Sequence, residues 1–161
     1  MAKQFLVVAE ARGGKLRQVS FEALRSAQLS AGDGDTIAAV LIGGAGTKAL
    51  AGELAAYGAE SIYVVEDAQL DAYSSEAYLS ALMAVTAVAS PSAIYFGHTS
   101  LGRDLAPLAA ASLSAGQISD VTAIERSGDN VLFTRPLYAG KAFEKKAFTD
   151  PAAPWVVTVR P

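Results

Sequence analysis

The chain has 161 residues, 52% of them hydrophobic and 18% charged, with a formal net charge of −3 and no cysteine. That hydrophobic share excludes disorder, and the length predicts one compact domain spanning residues 1–161. The missing cysteine removes disulfides, thiolate chemistry, Cys-ligated zinc and iron–sulfur clusters, and the lone His98 is too little imidazole for a transition-metal centre.

In chain order, Gln4–Ala9 is a short apolar run that predicts a central strand, and Arg12-Gly13-Gly14-Lys15 predicts a turn. A helix follows from about Ser20, with Phe21, Leu24 and Ala27 on one face, and it ends in the Gly/Asp cluster at 32–35. Thr36–Ile42 reads as the second strand, broken by Gly43-Gly44-Ala45-Gly46. From Thr47 a helix is expected, with Leu50, Leu54 and Tyr57 in register and Gly58 as its stop. Ser61–Val65 is the third strand. A longer helix from Ser75 carries Tyr78, Leu82, Val85 and Ala89, and Ser90-Pro91 ends it. Ala93–Gly97 is the fourth strand, and Asp104–Leu113 is a helix whose Pro107 is placed in the first turn.

Strands alternating with helices predict a three-layer α/β sandwich with a mostly parallel central sheet. Alanine makes up 33 of the 161 residues, so the helices are expected to pack closely. After Gly116 the pattern changes. Gln117–Glu125, Asn130–Tyr138, Ala142–Thr149 and Trp155–Arg160 are strand-like and closely spaced, which predicts antiparallel pairing in the C-terminal third. Phe143 and Phe148 fall on opposite faces of their strand, which marks it as an edge or as a strand facing something outside the chain.

The thirteen basic and sixteen acidic residues are dispersed, with no run that would track nucleic acid. The apolar start, Phe5–Ala9, is too short for a signal peptide, and no segment approaches a membrane span, so a cytoplasmic protein without membrane insertion is expected.

The clearest local motif is the turn after the second strand, where Gly44, Gly46 and Ala49 fit G-x-G-x-x-A. Gly43, Gly44, Gly46 and Thr47 are therefore candidates for a nucleotide or anion, with Glu66 at the distance of a ribose-binding carboxylate. A structural turn is the simpler reading, because tight strand-to-helix turns favour glycine whatever they bind. The spacing of a P-loop is absent. The second candidate is the loop from Gly97 to Asp104. There Thr99, Ser100 and Arg103 sit beyond a parallel strand, as an anion site with the helix N-terminus, as helix caps, which is the simpler reading, or as interface contacts. A Ser100 nucleophile with His98 as base is rejected: no G-x-S-x-G elbow surrounds it, and residues two apart rarely converge in that way. Polar Gln117, Ser119 and Asp120 interrupt an apolar strand and suggest specific contacts. No residue stands out as catalytic.

Several ordered segments resemble one family. Leu6-Val7-Val8-Ala9-Glu10, the run from Gly97 to Pro107, Gln117–Thr122, Arg135–Ala142 and Val157–Pro161 together are similar to the N-terminal domain of the electron transfer flavoprotein alpha subunit, the FixB-type family. The resemblance covers essentially the whole chain. It implies an adenine-nucleotide-hydrolase-like α/β sandwich, and a heterodimer in which the alpha subunit pairs with a beta subunit and carries one FAD. It also implies electrons taken from acyl-CoA or other dehydrogenases, as in fatty acid oxidation, and passed to a quinone oxidoreductase or another acceptor.

In that family the flavin motif lies in a second, C-terminal domain, which these residues do not include. The expectation is a scaffold and docking domain with no FAD contacts of its own. Thr99, Ser100, Arg103, Gln117, Ser119 and Asp120 are its candidate interface residues. The alternative is a stand-alone nucleotide-binding module using Gly43–Gly46. A free-standing dehydrogenase is not supported, since no catalytic His/Lys/Tyr set follows the glycine turn.

Overall fold

The computed structural model describes residues 2–150 and 152–161. The first strand, β1 (Gln4–Val8), leads through a small hairpin, β2 (Ala11–Arg12) and β3 (Lys15–Leu16), into α1 (Gln18–Ser30). β4 (Thr36–Gly43) is followed by a 3-10 turn at Thr47–Leu50 that runs into the short α2 (Ala51–Ala56), then by β5 (Ser61–Glu66). A second 3-10 turn at Ala68–Leu70 precedes α3 (Ser75–Ala89), β6 (Ala93–Gly97) and α4 (Ser100–Leu113). The remainder is β7 (Gly116–Val121), β8 (Ala123–Ser127), β9 (Asn130–Leu137), β10 (Ala142–Lys146) and β11 (Trp155–Val159).

Six strands form one parallel sheet in the order β5-β4-β1-β6-β11-β7. Strand side chains alternate between two faces, and the core divides accordingly. Phe5, Val7, Tyr95 and Val157 face Ala23, Leu24 and Ala27 of α1. Leu6, Val8, Ile94 and Val156 face Leu82 and Val85 of α3 and Leu105, Ala106 and Ala109 of α4. The central strands are buried on both sides, which is why they read as continuous apolar runs. The expected three-layer α/β sandwich with a mostly parallel sheet is the observed architecture.

The C-terminal third departs from the sequence reading. Only β8, β9 and β10 are antiparallel, in a separate sheet ordered β10-β9-β8. β7 and β11 instead join the main sheet in parallel, Trp155 pairing with both Ala93 and Gly116. Residues 122–154 lie between those two strands, so the small sheet is itself the crossover that a parallel return requires. Gln117–Glu125 is not one strand, because the chain leaves the main sheet at Thr122, whose N–H donates to Thr134 O (2.8 Å). β10 stops at Lys146, and Phe148 beyond it stacks on Trp155 with centroids 5.0 Å apart. Phe133 meets both rings edge-on and ties the small sheet to the main one.

Helical boundaries shift for local reasons. α4 begins at Ser100 rather than Asp104, because Thr99 caps it, its hydroxyl accepting from Gly102 N–H at 3.1 Å. Pro107 therefore lies in the helix interior and not in its first turn, and it leaves the Arg103 carbonyl without its usual i+4 amide. Leu105, Ala106, Ala109 and Ala110 are buried around it and hold the helix together. The helix expected from Thr47 is split, a 3-10 turn followed by six α-helical residues.

Candidate functional site

Strand order reverses at β1. The chain builds outward from it through β4 and β5, then crosses back to place β6 on its other side. Open α/β sheets receive ligands outside the carboxyl ends of the strands at this switch point. A crevice of about 840 Å³ lies there, lined among others by Glu10, Arg17, Tyr73, His98, Thr99 and Arg103.

Glu10 organises the crevice. It follows β1, is buried, and accepts from Arg17 Nη1 at 3.0 Å and from the Thr99 hydroxyl. Its backbone N–H donates to Ser20 Oγ (2.8 Å), and the Ser20 hydroxyl donates back to Glu10 O (3.0 Å). One carboxylate thus joins β1, the start of α1 and the cap of α4. Each oxygen of that carboxylate has a partner within the chain, which ties the three elements together. The Tyr73 hydroxyl donates to Asp104, and burial, reinforced by that carboxylate, pushes its pKa above the ordinary phenol range.

His98 sits on the β11 side. Its backbone N–H donates to Val159 O (2.6 Å), and its Nδ1 lies 2.9 Å from Thr158 Oγ1. The buried Thr158 hydroxyl also accepts from Asp120 N–H (2.9 Å), so Thr158 ties the bulge of β7 to the His98 ring. The His98 ring is neutral at pH 7. Burial, the largest influence, holds its pKa below 6.5 against the opposing pull of Asp120. Asp120 adopts a left-handed backbone (φ 60°) at the bulge where β7 shifts register against β11. Its carboxylate takes two hydrogen bonds from Arg160, at 2.9 and 2.7 Å.

The candidate residues fall into three groups. Thr99, Ser100 and Arg103 line the crevice together, Thr99 buried and committed to Glu10 and to the α4 cap, Ser100 and Arg103 exposed. Gln117, Ser119 and Asp120 lie on β7, away from that loop in sequence. Gln117 Nε2 donates to Ser119 Oγ (2.9 Å), and Ser119 O accepts from Arg135 Nε (2.8 Å). Arg135 also pairs with Glu144 at 2.7 Å and so pins the small sheet to the edge of the main one.

The third group, Gly43, Gly44, Gly46 and Thr47, lies one strand away from the switch point, at the end of β4. Two of its glycines, Gly43 and Gly44, are used by the protein's own packing. A Cβ on Gly44 would stand 2.5 Å from an Asp71 carboxylate oxygen and 2.9 Å from Asp71 Cα. One on Gly43 would stand 2.5 Å from Thr47 Oγ1, which donates to Gly44 O at 2.6 Å. Glu66 accepts from Lys48 N–H (2.9 Å) at the start of the 3-10 turn. Gly46, by contrast, has a left-handed φ of 91° with open space where a Cβ would stand, and a 3-10 turn follows it. Sequence reasoning passed over Glu10, Thr158, Arg135 and Arg160 as functional positions. A charged residue closing an apolar strand was the readable signal for Glu10, whereas the Thr158 role depends on a bulge between distant strands.

Among the described residues, no group of three or more His, Asp or Glu side chains could hold a metal ion. No helix is long and apolar enough to cross a membrane.

Comparison with known proteins gives a consistent result. The family model described as electron transfer flavoprotein domain matches residues 5–161. The electron transfer flavoprotein subunit alpha of Bacillus subtilis is 40% identical over 161 residues, which is 100% of this chain and 48% of that protein. The protein of the same name from Syntrophomonas wolfei is 39% identical, over 96% of this chain and 47% of its own length. The protein FixB of Bradyrhizobium diazoefficiens is 34% identical, over 99% of this chain and 44% of its own length. The chain spans about half the length of the curated relatives it matches. With the six-stranded parallel sheet, the separate antiparallel sheet and a match from end to end, the chain belongs to the electron transfer flavoprotein family as an alpha-subunit, FixB-type N-terminal domain.

Proposed function

We propose that this chain is the scaffold and docking domain of a heterodimeric, FAD-containing electron carrier of the cytoplasm, assembling with a beta subunit. The carrier takes electrons from acyl-CoA or other dehydrogenases and delivers them to a quinone oxidoreductase or another acceptor. The end-to-end family match is the observation that carries this reading.

The geometry described above supports it. The switch-point crevice holds a carboxylate whose partners are all internal, a tyrosine kept protonated and a neutral histidine, which is a set for holding three elements in place. In the glycine turn beside it, the space at Gly43 and Gly44 is filled by Thr47 and Asp71. The flavin, when bound to the parent carrier, supplies the redox chemistry, and its contacts belong to residues outside 1–161. This chain's own residues orient and hold. Ser100, Arg103 and Gln117 are the solvent-facing members of the proposed interface set. Thr99 caps the helix that carries Ser100 and Arg103, while Ser119 and Asp120 are bonded to Arg135 and Thr158 at β7.

Size-exclusion chromatography of the chain mixed with its cognate beta subunit tests the reading. A 1:1 complex is expected, with no visible flavin absorbance travelling with the chain alone. Separate elution of the two proteins, or flavin carried by the isolated chain, contradicts it.

A further inference from the structure

β5 is the outer strand of the six-stranded sheet, and among the described residues it pairs with β4 alone. Its side chains are engaged. Ile62 packs against the core on the α1 side, and Tyr63 and Val65 pack against the core on the α3 side. Those contacts hold the strand in one register, while every second N–H and C=O turns to its free side with no strand to meet.

The other strand edges are guarded and this one is open. β7, at the opposite end of the sheet, is interrupted by the bulge at Asp120 and gives its Ser119 carbonyl to Arg135. β10 carries Lys145 and Lys146, and β8 carries Glu125 and Arg126. Bulges and charges of this kind keep an edge from pairing with foreign strands. The β5 sequence, Ser-Ile-Tyr-Val-Val-Glu, has no lysine, proline or glycine and no charge before the closing Glu66. Its pairing with β4 runs without a bulge from Ser61 to Glu66. β-branched and aromatic residues favour the extended chain, so the open edge is also a rigid template.

Charge states what fits there. Residues 49–102 hold six acidic side chains and no Lys or Arg, a net of −6 on a chain whose total is −3. Three of the six stand at the ends of the edge: Glu60 just before β5, and Glu66 and Asp67 where it stops, all exposed. Among the described residues, no Lys or Arg side chain forms an ion pair with any of the three. From Glu60 to Glu66 an extended chain advances about 20 Å. A second copy brought edge to edge in register would set these carboxylates against each other.

We propose that the free edge of β5 is a docking site for an extended segment of a partner protein, which joins the sheet as a further strand and carries Lys or Arg near both of its ends. Main-chain hydrogen bonds supply the grip in this mode, and the flanking carboxylates supply the selectivity. Docking here requires no beta subunit, so its failure leaves the function proposed above intact.

The probe is a short, blocked, fluorescently labelled peptide of alternating Thr and Val with a Lys pair at each end, titrated against the chain by anisotropy. Saturable binding is expected, with slowed amide hydrogen exchange confined to β5 and its flanks. The same peptide with Glu pairs in place of Lys is expected to bind at least about tenfold more weakly. A version N-methylated at its central amides keeps the side chains and charge but cannot pair, and is expected not to bind. Glu60→Lys, at an exposed position, is expected to weaken binding about threefold and flatten its salt dependence, with an unchanged unfolding midpoint. Asp129→Lys, the same charge change on the exposed turn between β8 and β9, is expected to bind as wild type. No saturation at millimolar peptide, equal binding of the Lys and Glu peptides or of the methylated one, or protection away from β5 overturns the proposal. Self-association of the chain alone that protects β5 would make the occupant a second copy, contrary to it.

Discussion

Glu10 is the first charged side chain after the apolar run of β1, and three elements meet on its carboxylate. Substituting Glu10→Ala removes the partner of Arg17 and of the Thr99 hydroxyl. Urea unfolding should show a loss of about 3 kcal/mol, at the lower end for a broken buried pair because Arg17 is partly solvated. Gly102 is constrained by close approach: a Cβ there would stand 1.8 Å from the Gly97 carbonyl oxygen, where α4 lies against β6. Gly102→Ala should therefore cost about 2 kcal/mol in the same measurement, an overpacking penalty.

His98 makes a pH prediction. Its folded-state pKa lies below the ordinary 6.5, so the unfolded chain takes up the proton first as pH falls. The folded state retains its full advantage above that value and loses it as pH drops below about 6.5. His98→Asn, which can keep a hydrogen bond toward Thr158 without titrating, should remove that part of the slope. An unchanged slope between pH 7 and pH 5 would refute the neutral assignment.

At the scale of elements, α4 combines a strong start with an interior fault. Thr99 caps it, while Pro107 removes one amide from its ladder. Pro107→Ala should raise the urea midpoint, with a gain of roughly 1–3 kcal/mol, because the proline is exposed and its removal opens no cavity. The main alternation of strands and helices was readable from local signals: Tyr78, Leu82, Val85 and Ala89 mark α3 by their spacing, and Ala93–Gly97 marks a strand buried on both faces by its continuous apolar run. The C-terminal strands were readable as strands but not in their pairing. Nothing local to Trp155–Val159 states that its neighbours are β6 and β7, because pairing across residues 122–154 is decided by burial of Val156 and Val157 in the two cores. The edge character of β10 was legible in the opposed faces of Phe143 and Phe148, and the structure gives the reason, one ring in solvent and the other on Trp155.

For the whole molecule, the candidate site was less legible than the fold. Three glycines beside a strand imitate a phosphate loop, and the space at two of them, Gly43 and Gly44, is filled from within by Thr47 and Asp71. Glu10 and Thr158 gain their roles only when strands far apart in sequence converge on them. The family pattern spread over the entire chain was the stronger signal, and the matched segments coincide with these junctions: Glu10 after β1, Thr99–Arg103 at α4, Asp120 at the bulge and Arg135 at the root of the small sheet. An assembly of this kind places its chemistry at a cofactor and its specificity at surfaces that orient partners. The most direct measurement is isothermal titration calorimetry of the chain against its cognate beta subunit and, separately, against FAD. The account predicts saturable 1:1 binding heat with the beta subunit and none with FAD, and stoichiometric FAD binding by the chain alone, or no heat with the beta subunit, would contradict it.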